Sequence, residues 1–251
     1  MGLCGRRPRI WRRHPPLVWY RFTADRSGLH PQRELVAFSG HLHADAYAGY
    51  NKLYESRRIA EVACWAHFRR GIFDSHRVQA TPLTTDLLER IGQFYAVEAG
   101  IRGQPPDVRA RVRQEQSRPL VDALRAVIDD ALRRLSPRSE LATACRYGVK
   151  LWPALTRFID NGQLEIDNGV AEHALRGVAV GRRNWLFAGS TAGGFRAAAI
   201  YTVIETCKAK KVDPQAYIAD VMAKVAAGRP AARWDEIMPW NWAAEPVRLA
   251  A

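Results

Sequence analysis

The chain has 251 residues, 47% of them hydrophobic, and its Lys and Arg outnumber its Asp and Glu by 38 to 25, for a formal net charge of +13. That apolar share supports a sizeable core and excludes wholesale disorder, and no apolar run approaches the roughly 20 residues of a membrane span. The cysteines at 4, 64, 145 and 207 have neither disulfide nor zinc-ribbon spacing, so a cytoplasmic protein with a polyanionic partner, nucleic acid first, is expected.

Residues 1–16 show neither a helical nor a strand period and read as an irregular basic segment. Leu17 to Thr23 alternates, with Val18, Tyr20 and Phe22 on one side, and predicts a strand. Residues 24–28, Ala-Asp-Arg-Ser-Gly, predict a turn. Pro31 to Phe38 predicts a short helix with Leu35, Val36 and Phe38 inward and Gly40 beyond its end. His41 to Ala44 predicts a strand ending at Asp45, followed by a short helix around Tyr50 to Glu55. Ala63 to Ala66 predicts a further strand, and Phe68 opens a basic helix. Strand, helix, strand, helix, strand implies a mixed or parallel sheet covered by helices, an α/β class.

From about residue 81 to 160 the pattern is helical and reads as an insertion. Leu87, Leu88, Ile91, Phe94 and Tyr95 form one inward face, and Leu124, Val127, Ile128 and Ala131 another. The arginines at 109, 111, 113 and 118 fit a solvated face and a DNA track equally well. Ser139 predicts a helix cap before Glu140, and Pro153 a break or kink.

Residues 166–194 are the most informative stretch. Asp167 or Asn168 can cap a helix whose apolar stripe is Val170, Ala174 and Val178, with Ala171 and Leu175. Glu172 stands near the helix start with Arg176 one turn on, the spacing of a surface ion pair. Arg182, Arg183, Asn184 and Trp185 follow, then a turn-rich stretch from Gly189 to Gly194; basic side chains with an aromatic suit a phosphate backbone. Ala197 to Lys210 predicts a helix with Ile200, Val203, Ile204 and Cys207 inward. Asp213 and Pro214 predict a capped helix to about Ala226, and residues 240–242, Trp-Asn-Trp, a docked aromatic tail.

Two metal-site readings compete on spacing alone. His41, His43 and Asp45 share a strand face and could form a hydrolase cluster. Cys64 and His67 could ligate zinc but lack two partners, which favours a buried thiol.

Ordered blocks along the chain carry a resemblance. They are Tyr20 to Phe22 with Asp25 to Gly28, Ala44 to Asn51, Ala63 to His67, the stretch around Glu172, Ala197 to Thr206, Val212 to Tyr217, and Pro239 to Trp242. Together they resemble the insertion-sequence-sixty-six family of DDE transposases, whose core is similar to ribonuclease H. The resemblance implies an incomplete ribonuclease-H-like mixed sheet with a helical insertion in residues 17–195, and a C-terminal helical element in 196–251. It implies metal-dependent DNA cleavage and joining with two Mg2+ ions. Asp45 matches the second acid and Glu172 the third, both as metal ligands, while Arg176, Arg182, Arg183, Asn184 and Trp185 would face DNA. The first acid has no match, so a truncated, inactive fragment is expected; the alternative is a non-catalytic DNA-binding remnant competing with an intact transposase. A second copy of the chain or an intact transposase is the expected protein partner, and no membrane is. Departures from the family's habit are Gly169, His173, Gly177 and Phe195. With codons ATG GGT CTA TGT GGG CGA CGA CCG for Met1 to Pro8, a shifted frame reads Leu-Trp-Val-Tyr-Val-Gly-Asp-Asp-Arg, which looks like a strand of the family's sheet. Residues 1–16 are therefore expected to be out of frame.

Overall fold

In the computed structural model of the protein the described residues are 2–4, 17–184 and 189–242, with 2–4 and 182–184 described as backbone only. In chain order they form strands β1 (Gly2–Cys4) and β2 (Val18–Tyr20), helix α1 (Leu29–Glu34), strand β3 (Gly40–Ala44), helix α2 (Asn51–Glu55) and strand β4 (Ile59–Ala63). Helices α3 (Trp65–Val78), α4 (Pro82–Gly100), α5 (Pro106–Val112), α6 (Arg118–Arg134), α7 (Glu140–Lys150) and α8 (Trp152–Asp160) follow. Then come α9 (Gly169–Asn184), α10 (Thr191–Lys210) and α11 (Pro214–Ala226). The class is α/β, mostly helical with a small parallel sheet. The chain divides into two compact units, one holding residues 25–169 and the other holding 17–24 with 170–242 and β1.

In the unit of residues 25–169, β3 and β4 run parallel, in register from Gly40 opposite Ile59 to Ala44 opposite Ala63. Helical stripes build the core beside them: Trp65, Phe68 and Ile72 from α3; Leu87, Ile91 and Phe94 from α4; Val121, Leu124 and Ile128 from α6; Leu155, Phe158 and Ile159 from α8. The strand expected over residues 63–66 stops at Ala63, and Trp65 opens a helix instead. A short apolar run does not distinguish strand from buried helix. Here the indole decides, because its N–H donates to the Leu155 carbonyl at 2.8 Å and its ring meets Phe94 at 4.6 Å. Helix α1 also ends earlier than expected, so only Leu35 of its apolar trio is buried while Val36 and Phe38 are exposed.

The helical insertion follows its sequence signals closely. Thr81 and Thr84 form a reciprocal capping box at the start of α4, and the Ser139 hydroxyl accepts from the Ala142 amide at 3.2 Å. Pro153 divides α7 from α8. Between α5 and α6 the helix continues through a π turn at Arg113–Ser117. Pro119 accounts for it: proline lacks an N–H and collides with the carbonyl four residues back, so the ladder widens by one residue.

In the other unit β1 pairs antiparallel with β2, Gly2 opposite Tyr20 and Cys4 opposite Val18. A strand thus forms where the sequence shows no period; residues 5–16 lie outside the described residues. The mixed sheet expected from sequence is represented by one antiparallel and one parallel pair, each within its own unit. Val18 and Tyr20 pack with Ala174, Leu175 and Val178 of α9, and the Tyr20 hydroxyl donates to the Ala174 carbonyl. The other edge of β2 is closed by hydroxyls of α10. Thr206 accepts from the Val18 amide at 3.3 Å and donates to the Val18 carbonyl at 3.1 Å, while Thr202 accepts from the Tyr20 amide at 2.9 Å. Two threonines one helical turn apart therefore do the work of a neighbouring strand.

This geometry corrects two expectations for α10. The helix begins at Thr191, because the Ser190 hydroxyl accepts from the Gly193 amide at 3.0 Å, and the turn-rich glycines lie inside its first turn. Gly194 is needed there, since a Cβ would stand 2.6 Å from the Phe22 ring. Ile200 is exposed, because the face turned to β2 carries Tyr201, Thr202 and Thr206. Asp213 caps α11 through the amides of Gln215 and Ala216, at 2.7 and 2.9 Å. Of the terminal tryptophans Trp242 docks, donating to Asp220 at 2.7 Å, while Trp240 is exposed.

Replacing Thr206 with Val keeps the shape but strands both the amide and the carbonyl of Val18. Chemical unfolding of Thr206→Val is expected to show a loss of about 1–3 kcal/mol, with Thr206→Ser retaining most of the stability.

Candidate functional site

Asp45 follows β3 directly and is exposed at the carboxyl end of the parallel pair. The next residue, Ala46, has φ +58°, a left-handed turn that costs a non-glycine residue of order 1 kcal/mol. The loop beyond it is pinned to the loop at 25–28. The Tyr47 hydroxyl donates to the Arg26 carbonyl, and the Arg26 guanidinium lies 5.5 Å from the Tyr47 ring centroid. Gly28 sits so close that a Cβ there would stand 2.8 Å from the Gly49 backbone. Asp25, the acid nearest the N-terminus, is used structurally: it accepts from the Ser27 amide at 2.8 Å and bonds His30 at 2.7 Å. Those bonds, Ser27 first, hold its carboxyl below the usual range.

The charge of Asp45 is felt by the phenols around it. Burial, and after it Asp45, pushes the Tyr50 hydroxyl up to about 12, and burial first also raises Tyr54 and Tyr147. His43, two residues back on the same strand face, is pushed down to about 4 by burial, against the opposing pull of the Ala63 carbonyl and Asp167. His41 is lowered too, by burial and then by Arg157. The hydrolase reading fails on geometry, because among the described residues no three His, Cys, Asp or Glu side chains are grouped to hold a metal. The zinc reading fails with it: Cys64 is a buried thiol that burial pushes up, away from the thiolate a metal needs.

Glu172 lies in the first turn of α9 and is half-buried, with Arg176 exposed one turn later. Asp167 is the capping residue, its carboxylate accepting from the Gly169 amide at 3.0 Å. Its other oxygen takes a long bond of 3.4 Å from the Tyr95 hydroxyl. Arg182, Arg183 and Asn184 form the last turn of α9; their side chains, and Trp185 entirely, lie outside the described residues. Asp45 belongs to the unit of residues 25–169 and Glu172 to the other unit.

Sequence reasoning missed one group. Arg109 and Arg113 are neither a solvated face nor a DNA track, because both are buried. Arg113 grips Glu98 with two bonds of 2.6 Å. Arg109 reaches Glu98 at 3.4 Å and holds both oxygens of Glu165, at 3.1 and 3.0 Å. A signal existed: Glu98 continues the stripe of Leu87, Ile91 and Phe94, and a carboxylate on a core stripe demands a buried cation. Arg111 is exposed, and Arg118 pairs with Asp160.

The sequence model described as "Transposase IS66 family" matches residues 4–196, and that described as "IS66 C-terminal element" matches residues 202–240. The chain belongs to the IS66 transposase family. Three relatives of the IS66 chain come from Sinorhizobium fredii (strain NBRC 101917 / NGR234), each named an uncharacterized protein. The chain is 36% identical to y4hP over 256 residues, covering 94% of this chain and 46% of that protein. Against y4qI it is 35% identical over 240 residues, 93% of this chain and 44% of the relative; against y4jD, 32% over 244 residues, 94% and 48%. The chain spans about half the length of the curated relatives it matches. No solved structure matches it. Among the described residues no helix is long and apolar enough to cross a membrane.

His43 gives this IS66 chain a pH dependence. Its folded value near 4 lies below the ordinary 6.5, so the unfolded chain binds the proton first as pH falls. The stability held by neutral His43 is complete above pH 6.5 and lost progressively towards pH 4. Urea unfolding at pH 7 and 5 is expected to show a His43 contribution of about 2 kcal/mol to the loss, absent in His43→Gln.

Proposed function

We propose that this chain carries the second and third acids of a ribonuclease-H-like DDE core, Asp45 and Glu172, and that the two would share divalent cations. The observation that carries the reading is the position of Asp45. It stands at the carboxyl end of the parallel strands, where α/β sheets gather their ligands. Family membership supports it, since Asp45 and Glu172 fall in the two blocks that resemble the family's acid-bearing segments.

The donor chemistry suits Mg2+, which takes carboxylate oxygens. The number of donors does not, because two carboxylates supply less than a two-metal site needs and no three-donor group exists among the described residues. When bound, such ions would activate the attacking oxygen and stabilise the leaving one. The chain's own contribution is to hold the acids: Asp45 by the pinned turn at Ala46, and Glu172 by the capped first turn of α9. Arg176, with Arg182, Arg183, Asn184 and Trp185, would meet the DNA backbone, favoured by the net charge of +13. On this reading residues 17–195 are the catalytic region with its insertion at 81–160, and 196–251 the C-terminal element. The 251 residues alone do not cleave DNA and work, or compete, beside an intact transposase.

Purified protein with Mg2+ and an oligonucleotide bearing the element's terminal repeat is expected to bind in a salt-sensitive way without cleaving. Mn2+ binding measured by calorimetry is expected to weaken in both Asp45→Asn and Glu172→Gln. Cleavage that Glu172→Gln abolishes would overturn the inactivity. Mn2+ binding indifferent to both substitutions would overturn the site.

A further inference from the structure

We infer that the buried arginines of the helical insertion are positioning residues for Glu172, because they clamp the irregular segment 161–168 from which its helix starts. The inference rests on the metal reading of Glu172 given above.

Residues 161–168 form neither helix nor strand, so their backbone groups need partners from elsewhere. The insertion supplies them. Arg113 donates to the carbonyls of Phe158 and Asn161, at 2.9 and 3.2 Å, and Arg109 to that of Leu164 at 3.3 Å. The Trp65 amide, just past β4, donates to the Ile166 carbonyl at 3.3 Å. Gly162 lies so tightly on the start of α5 that a Cβ would stand 1.7 Å from the Pro106 carbonyl oxygen. Ile166 is buried in the core, and Asp167 closes the segment by capping α9.

Charge makes the clamp more than a set of contacts. A guanidinium cannot shed its proton on burial, so two buried arginines need two carboxylates. Glu98 supplies one, held chiefly by Arg113, and Glu165 supplies the other. Glu165 is itself 39% exposed and has no burial reason to turn inward. It is drawn in by Arg109, which is 3% exposed, and it brings the segment with it. Glu172 follows seven residues later, on the helix that this segment launches.

The decisive variant is Glu165→Gln, which removes one charge at a half-exposed site and leaves the Glu98–Arg113 pair intact. Hydrogen exchange of the full chain is expected to quicken about tenfold at residues 164–170, with α4 and α6 unchanged. Mn2+ affinity is expected to fall, and Glu165→Asp, which keeps the charge, to recover part of both effects. Unchanged exchange at 164–170 would overturn the clamp, and so would faster exchange spread equally over the helices or a chain that fails to fold. Local loosening with unchanged Mn2+ affinity would overturn the positioning role. If the unsubstituted chain binds no Mn2+, the metal reading fails by itself while the exchange comparison still decides the clamp.

Discussion

The ion pair of Glu98 with Arg113 is the constraint around which the larger unit is arranged. Arg113 is fully buried and Glu98 nearly so, with two bonds of 2.6 Å between them. Removing one partner of such a pair typically costs about 3–5 kcal/mol, because the other charge is left uncompensated. The π turn sets Arg113 where it can reach Glu98 on α4 and the carbonyls after α8 together. The helical insertion is therefore more than decoration on a sheet. A parallel pair of two short strands is marginal by itself, and the helices beside it supply nearly all the buried apolar surface.

The smaller unit solves a different problem. Strand β2 would expose one row of amides and carbonyls, and α10 covers it with Thr202 and Thr206. That contact binds the segment before residue 24 to the last quarter of the chain. The two family models divide between residues 196 and 202, yet α10 runs unbroken through that point. The region they assign to the C-terminal element thus closes the edge of a strand in the region before it.

Much of this was legible in the sequence, for local reasons. Ser139, Asp213 and Pro153 act through their own backbone neighbourhood, and each cap or break sits where its residue type requires. Asp45 at a strand end and the stripe of Ala174, Leu175 and Val178 were readable from periods of two and of three to four. The failures came where a distant partner decided. Trp65 left its strand because Leu155, far along the chain, accepts from its indole. Ile200 lost the core to threonines because an unpaired strand edge wants hydroxyls more than methyl groups. Arg109 and Arg113 looked like surface because arginine usually is, and only Glu98 on the core stripe hinted otherwise.

The central claim is that Asp45 and Glu172, from different compact units, serve one ion site. Exchanging Mg2+ for Fe2+ and adding ascorbate with peroxide generates hydroxyl radicals at the bound metal, which cut the nearest backbone. The account predicts cuts beside both Asp45 and Glu172, suppressed together by excess Mg2+. Cuts beside one acid alone, or cuts that excess Mg2+ leaves untouched, would contradict it.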